Sequence, residues 1–179
     1  FVNRHREEAQ QAGPRYQANL GIYARILTPD EPAEADRYVF ADPALRAKNS
    51  FVGTIHGYRP EQALTRAEAR AELDVEEGER LVYVSAGAGG DPEAEQALEA
   101  LLDALAGVPR LRILVGYGPL YKGRIRQRRT IIAYQDINVA RYFAGVDAAF
   151  SAAGYNTYHE LLAAGVPTAF FAQAKKMDC

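Results

Sequence analysis

The chain has 179 residues, 48% of them apolar, which suffices for one α/β domain or for one domain joined to a fragment of another. A formal net charge of −2 gives no electrostatic drive toward nucleic acid or a membrane surface, and no apolar run approaches the roughly 20 residues of a membrane span. The single cysteine, Cys179, excludes a disulfide framework and a cysteine-based zinc cluster and fits a reducing compartment. No signal peptide is visible. The chain starts without Met and stops soon after a strong strand, so it is expected to be a piece of a longer protein.

Residues 1–57 are polar at first, with Arg4, Arg6, Glu7 and Glu8 close together, followed by a short apolar stretch at 22–27. Pro29, Pro32 and Pro43 interrupt the chain beyond that stretch and predict mostly irregular structure, with a last strand at 51–55. Arg59-Pro60-Glu61 reads as a linker, and the domain boundary is placed there, with residues 58–179 as the second domain. Residues 65–73 form a short helix in which Thr65 and Glu68 make a capping box. Residues 81–85 are continuously apolar, as suits a strand buried on both faces. A glycine-rich turn leads into a helix at 92–106, with Ala94, Leu98, Leu101, Leu102 and Leu105 on one stripe. Asp91 can cap it, Pro92 fits its first position and Gly107 ends it. Strands at 111–115, 130–133, 148–151 and 168–171 then alternate with helices at 139–144 and 157–164, the latter closed by Gly165. The fold class is therefore α/β, a Rossmann-like parallel sheet with helices on both faces.

Two turns could carry chemistry. The first is Ser85-Ala86-Gly87-Ala88-Gly89-Gly90-Asp91, whose glycines allow close backbone approach to a ligand or simply a turn with positive φ. Asp91, Glu93 and Glu95 at the helix start would repel a phosphate, so this loop can approach a ligand without being its main phosphate cradle. A dinucleotide dehydrogenase fails on spacing. Starting the fingerprint at Gly87 puts Pro92 where the third glycine belongs, and no acid stands near Pro109 and Arg110 to hold a ribose. The second turn runs from Ser151 through Gly154-Tyr155-Asn156-Thr157 to Glu160 and Ala163-Ala164-Gly165-Val166-Pro167. No acid precedes Glu160, so this helix start suits a diphosphate better. Thr157 and Glu160 also have the spacing of a capping box, which gives Glu160 a second possible role.

Ser151, Gly154, Thr157, Glu160, Ala163, Ala164, Gly165, Val166 and Pro167 together resemble the signature of the family 28 glycosyltransferases, which includes the lipid-linked N-acetylglucosaminyltransferase of peptidoglycan synthesis. Residues 84–89 resemble that family's glycine loop less tightly, and the resemblance covers about 81–179. It implies the second domain of a two-domain GT-B fold, preceded by the C-terminal remnant of an acceptor-binding domain. It further implies an inverting transfer of a sugar from a nucleoside diphosphate donor, usually uridine-linked, to an acceptor hydroxyl. The acceptor is a lipid-linked or a small molecule that this chain does not specify. Carried over by position, Glu160 would accept hydrogen bonds from the ribose hydroxyls, and the amides of Gly154, Tyr155, Asn156 and Thr157 would bind the diphosphate. Ser85, Gly87 and Gly89 would approach the ligand, and Tyr134, Gln135 and Asp136 would lie near the base. The family's sugar-contacting Gln after the last strand has no clear counterpart, with Gln173 the nearest substitute. The catalytic base belongs to the first domain. Two other readings share the fold, a nucleotide-sugar epimerase and a non-catalytic nucleotide-sugar-binding module.

The remaining candidates are ordinary surface groups. His5 and His56 read as surface or turn residues, and His159 as a solvent-facing histidine beside Glu160. Arg124, Arg126, Arg128 and Arg129, like Lys175 and Lys176, read as solvated charges. No ligand spacing for a metal and no Asp-x-Asp pair occur in the sequence, so helix amides are expected to meet the diphosphate charge without a metal ion. No resident cofactor and no nucleic-acid partner are expected. The expected location is the cytoplasm, with peripheral contact at the inner face of the membrane through the missing domain.

Overall fold

The computed structural model describes residues 8–87, 92–118, 121, 123–125, 128–136 and 138–171, apart from the side chains of residues 8, 9 and 92–94. Gly89, Asp91, Gln173, His5, Arg126, Lys175, Lys176 and Cys179 lie outside the described residues. Two compact units divide the chain between Ile55 and His56, so His56 and Gly57 belong to the second unit.

In the first unit, α1 (Glu8–Gln11) and α2 (Pro14–Gly21) precede β1 (Ile26–Thr28), a 3₁₀ turn (Pro32–Arg37), α3 (Pro43–Lys48) and β2 (Asn49–Phe51). β1 and β2 pair in parallel, with Ile26 opposite Asn49. Leu20, Ile26 and Leu45 form the core, with Tyr16 and Phe40 against it. This segment is more ordered than its prolines suggest. Pro32 and Pro43 open helical turns, where a missing N–H leaves no bond unmade. The expected strand at 51–55 ends at Phe51. Much of the order comes from two buried glutamines. Gln11 donates to Arg37 C=O at 2.9 Å and accepts from Val39 N–H at 2.9 Å. Gln17 donates to Val39 C=O at 2.9 Å and accepts from Ala41 N–H at 2.9 Å. The two side chains thus satisfy the extended backbone at 37–41 as a neighbouring strand would.

In the second unit, α4 (Arg66–Glu72) leads to β3 (Arg80–Ser85), α5 (Pro92–Leu105), β4 (Leu111–Gly116) and β5 (Ile131–Tyr134). A 3₁₀ helix (Val139–Gly145), β6 (Ala148–Ala152), α6 (Tyr155–Ala163) and β7 (Thr168–Phe171) complete it. The strands form one parallel sheet in the order β5-β4-β3-β6-β7. Chain order runs outward from β3 in one direction and then returns to its other side, so the crossovers cover opposite faces. α5 packs on Val82, Val84, Ile113 and Val115. α4, the 3₁₀ helix and α6 pack on Leu81, Tyr83, Leu114 and Ala149. β3 is therefore buried on both sides, which explains its unbroken apolar run. Thr65 caps α4 in the expected capping box: its hydroxyl accepts from Glu68 N–H, and its own N–H donates to Glu68 Oε2 at 2.8 Å. The helix expected at 139–144 is 3₁₀. Its last glycine, Gly145, lies so close to α4 that a Cβ there would stand 2.9 Å from that of Ala69. Among the described residues no helix is long and apolar enough to cross a membrane.

Asp147, just before β6, ties α4 to the amino edge of this sheet. Its carboxylate accepts from Leu81 N–H at 2.7 Å, from Arg70 at 3.3 Å and from Arg66. Burial pushes the carboxyl up, but the two guanidinium groups and the backbone amide outweigh it and hold it below the usual carboxylate range. A lowered folded pKa stabilises the fold above the unfolded value of roughly 3.9 and loses that contribution as pH falls through the folded value. Asp147→Asn is expected to lower unfolding free energy by about 1–2 kcal/mol near neutral pH, less than an ideal buried pair because Arg66 is half exposed. Urea unfolding across pH checks this, and the difference from wild type should vanish in acid.

Packing at the opposite edge gives a second expectation. The Tyr83 ring fills the room above Gly116, where a Cβ would overlap its hydroxyl and stand 2.7 Å from Cε2. Gly116→Ala must displace a fully buried ring, at about 1–3 kcal/mol, read as a lowered Tm. An unchanged Tm would mean that the ring has room to move.

Candidate functional site

The register at the carboxyl edge aligns Tyr134, Gly116, Ser85, Ser151 and Phe170 in one row across five strands. Residues in one row of a parallel sheet face the same side. The middle of this row is Gly-Ser-Ser, flanked by two aromatic rings, so the edge is low where β3 and β6 meet. That is also where the strand order reverses, the place at which open α/β sheets hold ligands.

Two turns rise from this point. Gly87 follows β3 with φ of 86°, which a residue with a side chain rarely adopts, and its N–H donates to Ser85 Oγ at 3.2 Å. Ala153 and Gly154 follow β6. Gly154 is the N-cap of α6, with no capping side chain and no acid in the first turn. The first helical bond runs from Tyr158 N–H to Gly154 C=O at 2.9 Å, so the amides of Tyr155, Asn156 and Thr157 point out of the helix end. This end is positive and undecorated, which suits an anion. Thr157 and Glu160 do not form the capping box that their spacing allows, because α6 begins at Tyr155 and Thr157 is already inside it. Glu160 is thereby released from the cap role.

Glu160 instead lies half-buried, one turn into α6, and its Oε1 accepts from Gly57 N–H at 3.1 Å. Burial pushes its carboxyl above the usual carboxylate range, while the Gly57 N–H and nearby His56 pull it down. Tyr83 lies beneath. Burial pushes its phenol up to about 12, a hydrogen bond with the Ser85 hydroxyl opposes this, and the Glu160 carboxylate adds to it. Ser85, Tyr83 and Glu160 therefore share one electrostatic environment at the meeting of β3 and β6.

Of the expected set, Ser85, Gly87, Gly154, Tyr155, Asn156, Thr157 and Glu160 converge on that edge. Tyr134 and Gln135 stand two strands away, roughly 10 Å by strand spacing. The Tyr134 ring packs edge-on against Tyr142 at 5.2 Å, and Tyr142 in turn donates to Glu72 at 3.1 Å, so Tyr134 is committed to packing while Gln135 is exposed. His159 packs against the Tyr155 and Tyr158 rings at 4.4 and 5.0 Å. Arg128 pairs with Asp103 and Arg129 with Glu76. His56, read as a surface or turn residue, is partly exposed and lies outside any helix or strand, but its Nδ1 is buried, with no hydrogen-bond partner among the described residues. His56, Gly57 and Tyr83 are the site-edge residues that the sequence does not reveal. Gly57 meets Glu160 from 103 positions away, and Tyr83 is one ring in an apolar strand. A separate cavity of about 220 Å³, in the first unit, is lined by Tyr38, Phe40, Phe51, Arg46 and Asp36 and contains none of the expected residues.

No family model matches the chain, and no curated protein matches its sequence. Among solved structures, it is similar to the crystal structure of the glycosyltransferase SnogD from Streptomyces nogalater. The TM-score is 0.52 and the identity 17%, over 83% of this chain and 38% of that one. The chain thus spans well under half the length of that protein, and at this identity the likeness is one of fold. The helix-flanked, five-stranded parallel sheet is that of a Rossmann-like domain of the GT-B type.

Proposed function

We propose that the protein to which this chain belongs is a glycosyltransferase of the family 28 kind. It moves a sugar from a nucleoside diphosphate donor, uridine-linked, to an acceptor hydroxyl. The second unit, which begins at His56, holds the donor, and the residues before it are the remnant of the acceptor-binding domain. The observation that carries this reading is the pairing of an α6 N-terminal turn that has no capping side chain and no acid with a half-buried carboxylate, Glu160, where the strand order reverses. A diphosphate fits the first and a ribose diol the second, and one turn of helix separates them, about 5 Å. The structural likeness to a glycosyltransferase supports the same class.

In the proposed reaction a base from the first domain takes the acceptor proton. The acceptor oxygen then bonds to the anomeric carbon as the bond to the diphosphate breaks, which inverts that centre. Charge grows on the departing diphosphate, and the first-turn amides of α6 at Tyr155, Asn156 and Thr157 meet it, whereas the Gly154 N–H is already bonded to Ala152 C=O at 2.8 Å and would have to exchange that bond. The loop at Ser85 and Gly87 approaches the ligand from β3. Of the three base-side candidates, Gln135 and Asp136 are exposed whereas Tyr134 is packed, and the Asp136 carboxylate already accepts from Asn138 N–H at 3.0 Å. Gln173 remains the proposed contact to the sugar.

Glu160→Gln tests the ribose contact. Gln keeps an oxygen that can accept from Gly57 N–H, so the fold should hold, and only the charge is lost. Calorimetry with uridine diphosphate should show affinity reduced by about 1–2 kcal/mol, roughly 5- to 30-fold, with an unchanged Tm. A lower Tm with intact nucleotide affinity would make Glu160 structural. The helix-amide account has its own check. Uridine diphosphate binding should survive a chelator, and loss of binding that magnesium restores would remove that account. Product formation from labelled donor by the full-length protein separates transfer from epimerisation and from binding alone.

A further inference from the structure

Gly57 lies next to the site without belonging to any helix or strand, and among the described residues its one specific contact is with Glu160. Its amide holds Oε1 of that carboxylate at 3.1 Å. A Cβ built on Gly57 would stand 3.0 Å from the same oxygen and meet no other described atom within 4 Å. Its φ is not in the left-handed region, so backbone conformation is not what calls for glycine here. What a side chain would disturb is the end of Glu160. A carboxylate at the tip of a flexible chain yields before a backbone does. The neighbouring His56 presents a buried Nδ1 that has no hydrogen-bond partner among the described residues. A buried ring nitrogen left unpaired is costly unless a ligand group completes it.

We infer that Gly57 is a positioning residue for nucleotide recognition: its N–H fixes one oxygen of Glu160 so that the other is presented to the ribose hydroxyls, and the absence of a side chain keeps that carboxylate in place. This rests on the reading of Glu160 as the ribose contact. Two geometric facts carry it. The amide bond selects one rotamer of a side chain that otherwise has several, and the bound oxygen is the one a Cβ would evict. Recognition of a diol by a carboxylate requires that the carboxylate be held before the ligand arrives, since ordering it on binding subtracts from affinity. The segment at His56 and Gly57 thereby forms a wall of the ribose end of the site.

The test compares uridine diphosphate with 2′,3′-dideoxyuridine diphosphate, by calorimetry on the full chain. Wild type should prefer the ribose ligand by about 10-fold or more. Gly57→Ala should bring that preference within about 3-fold while leaving affinity for the dideoxy ligand unchanged, because only the hydroxyl contact is lost. In a Glu160→Gln background the same change should have no further effect on the ratio. A general disturbance of the segment would weaken both ligands in parallel and leave the ratio intact, and that result overturns the role given to Gly57 while sparing Glu160. A wild type with no preference, or with no binding of either ligand, overturns the ribose reading and this role with it. A ligand-free measurement stands beside these. The Gly57 amide proton resonance should titrate with the Glu160 carboxyl and lose that titration in Glu160→Gln. A resonance indifferent to the substitution would show that the hydrogen bond is not made.

Discussion

β3 is hydrogen-bonded to a parallel strand on each side, and the layout of the second unit depends on that. A parallel neighbour can be reached only by a crossover, and every crossover leaves from the carboxyl end of its strand. With β4 on one side and β6 on the other, the two departing turns diverge onto opposite faces and leave a gap between them. The Gly-Ser-Ser row and the bare start of α6 occupy that gap. Neither turn needs a special sequence to be brought there, because the topology does it. What the sequence must supply is smallness in the row and an absence of acids before Glu160.

The residues from Ser151 to Pro167 divide into two physical roles. The first half opens space and exposes amides. The second half is a helix stop: Gly165 takes φ of 69°, its N–H bonds to Leu162 C=O at 3.0 Å, and Val166 N–H bonds to Leu161 C=O at 3.0 Å. This is a Schellman motif, with Val166 and Leu161 both in the core beneath it and Pro167 barring continuation. Ala163-Ala164-Gly165-Val166-Pro167 therefore needs no ligand to account for it. The stop fixes where α6 ends, and the turn after β6 fixes where it starts. Glu160 is held between two determined ends.

The strands of the sheet were legible because burial on both faces leaves a continuous apolar run, as in β3 and β4. The start of α6 was less so. Gly154 caps it through backbone conformation alone, and Thr157 with Glu160 imitates a capping box one turn too late. In the first unit, periodicity could not show that Gln11 and Gln17 would act as substitutes for a strand, since polar side chains bonding to backbone 22 to 28 positions away leave no local trace. The same holds for the contact of Gly57 with Glu160. Residues whose roles depend on their own neighbours could be read from the chain, whereas those that depend on a distant partner could not.

Asp147 gathers α4, β3 and β6 at the amino edge, away from the turns that carry the site. The two ends of the sheet are therefore unequal in local stability. Breaking the amino end disrupts an ion cluster and a backbone bond together, whereas the carboxyl end has a helix start with no capping side chain and a glycine turn. Partial opening of such a domain begins where the fewest bonds must break. On that argument, hydrogen exchange is expected to be slower at the amides around Leu81 than at those around Gly87 and Gly154. Opening at Gly87 or Gly154 would leave intact the register of the strands that place these turns.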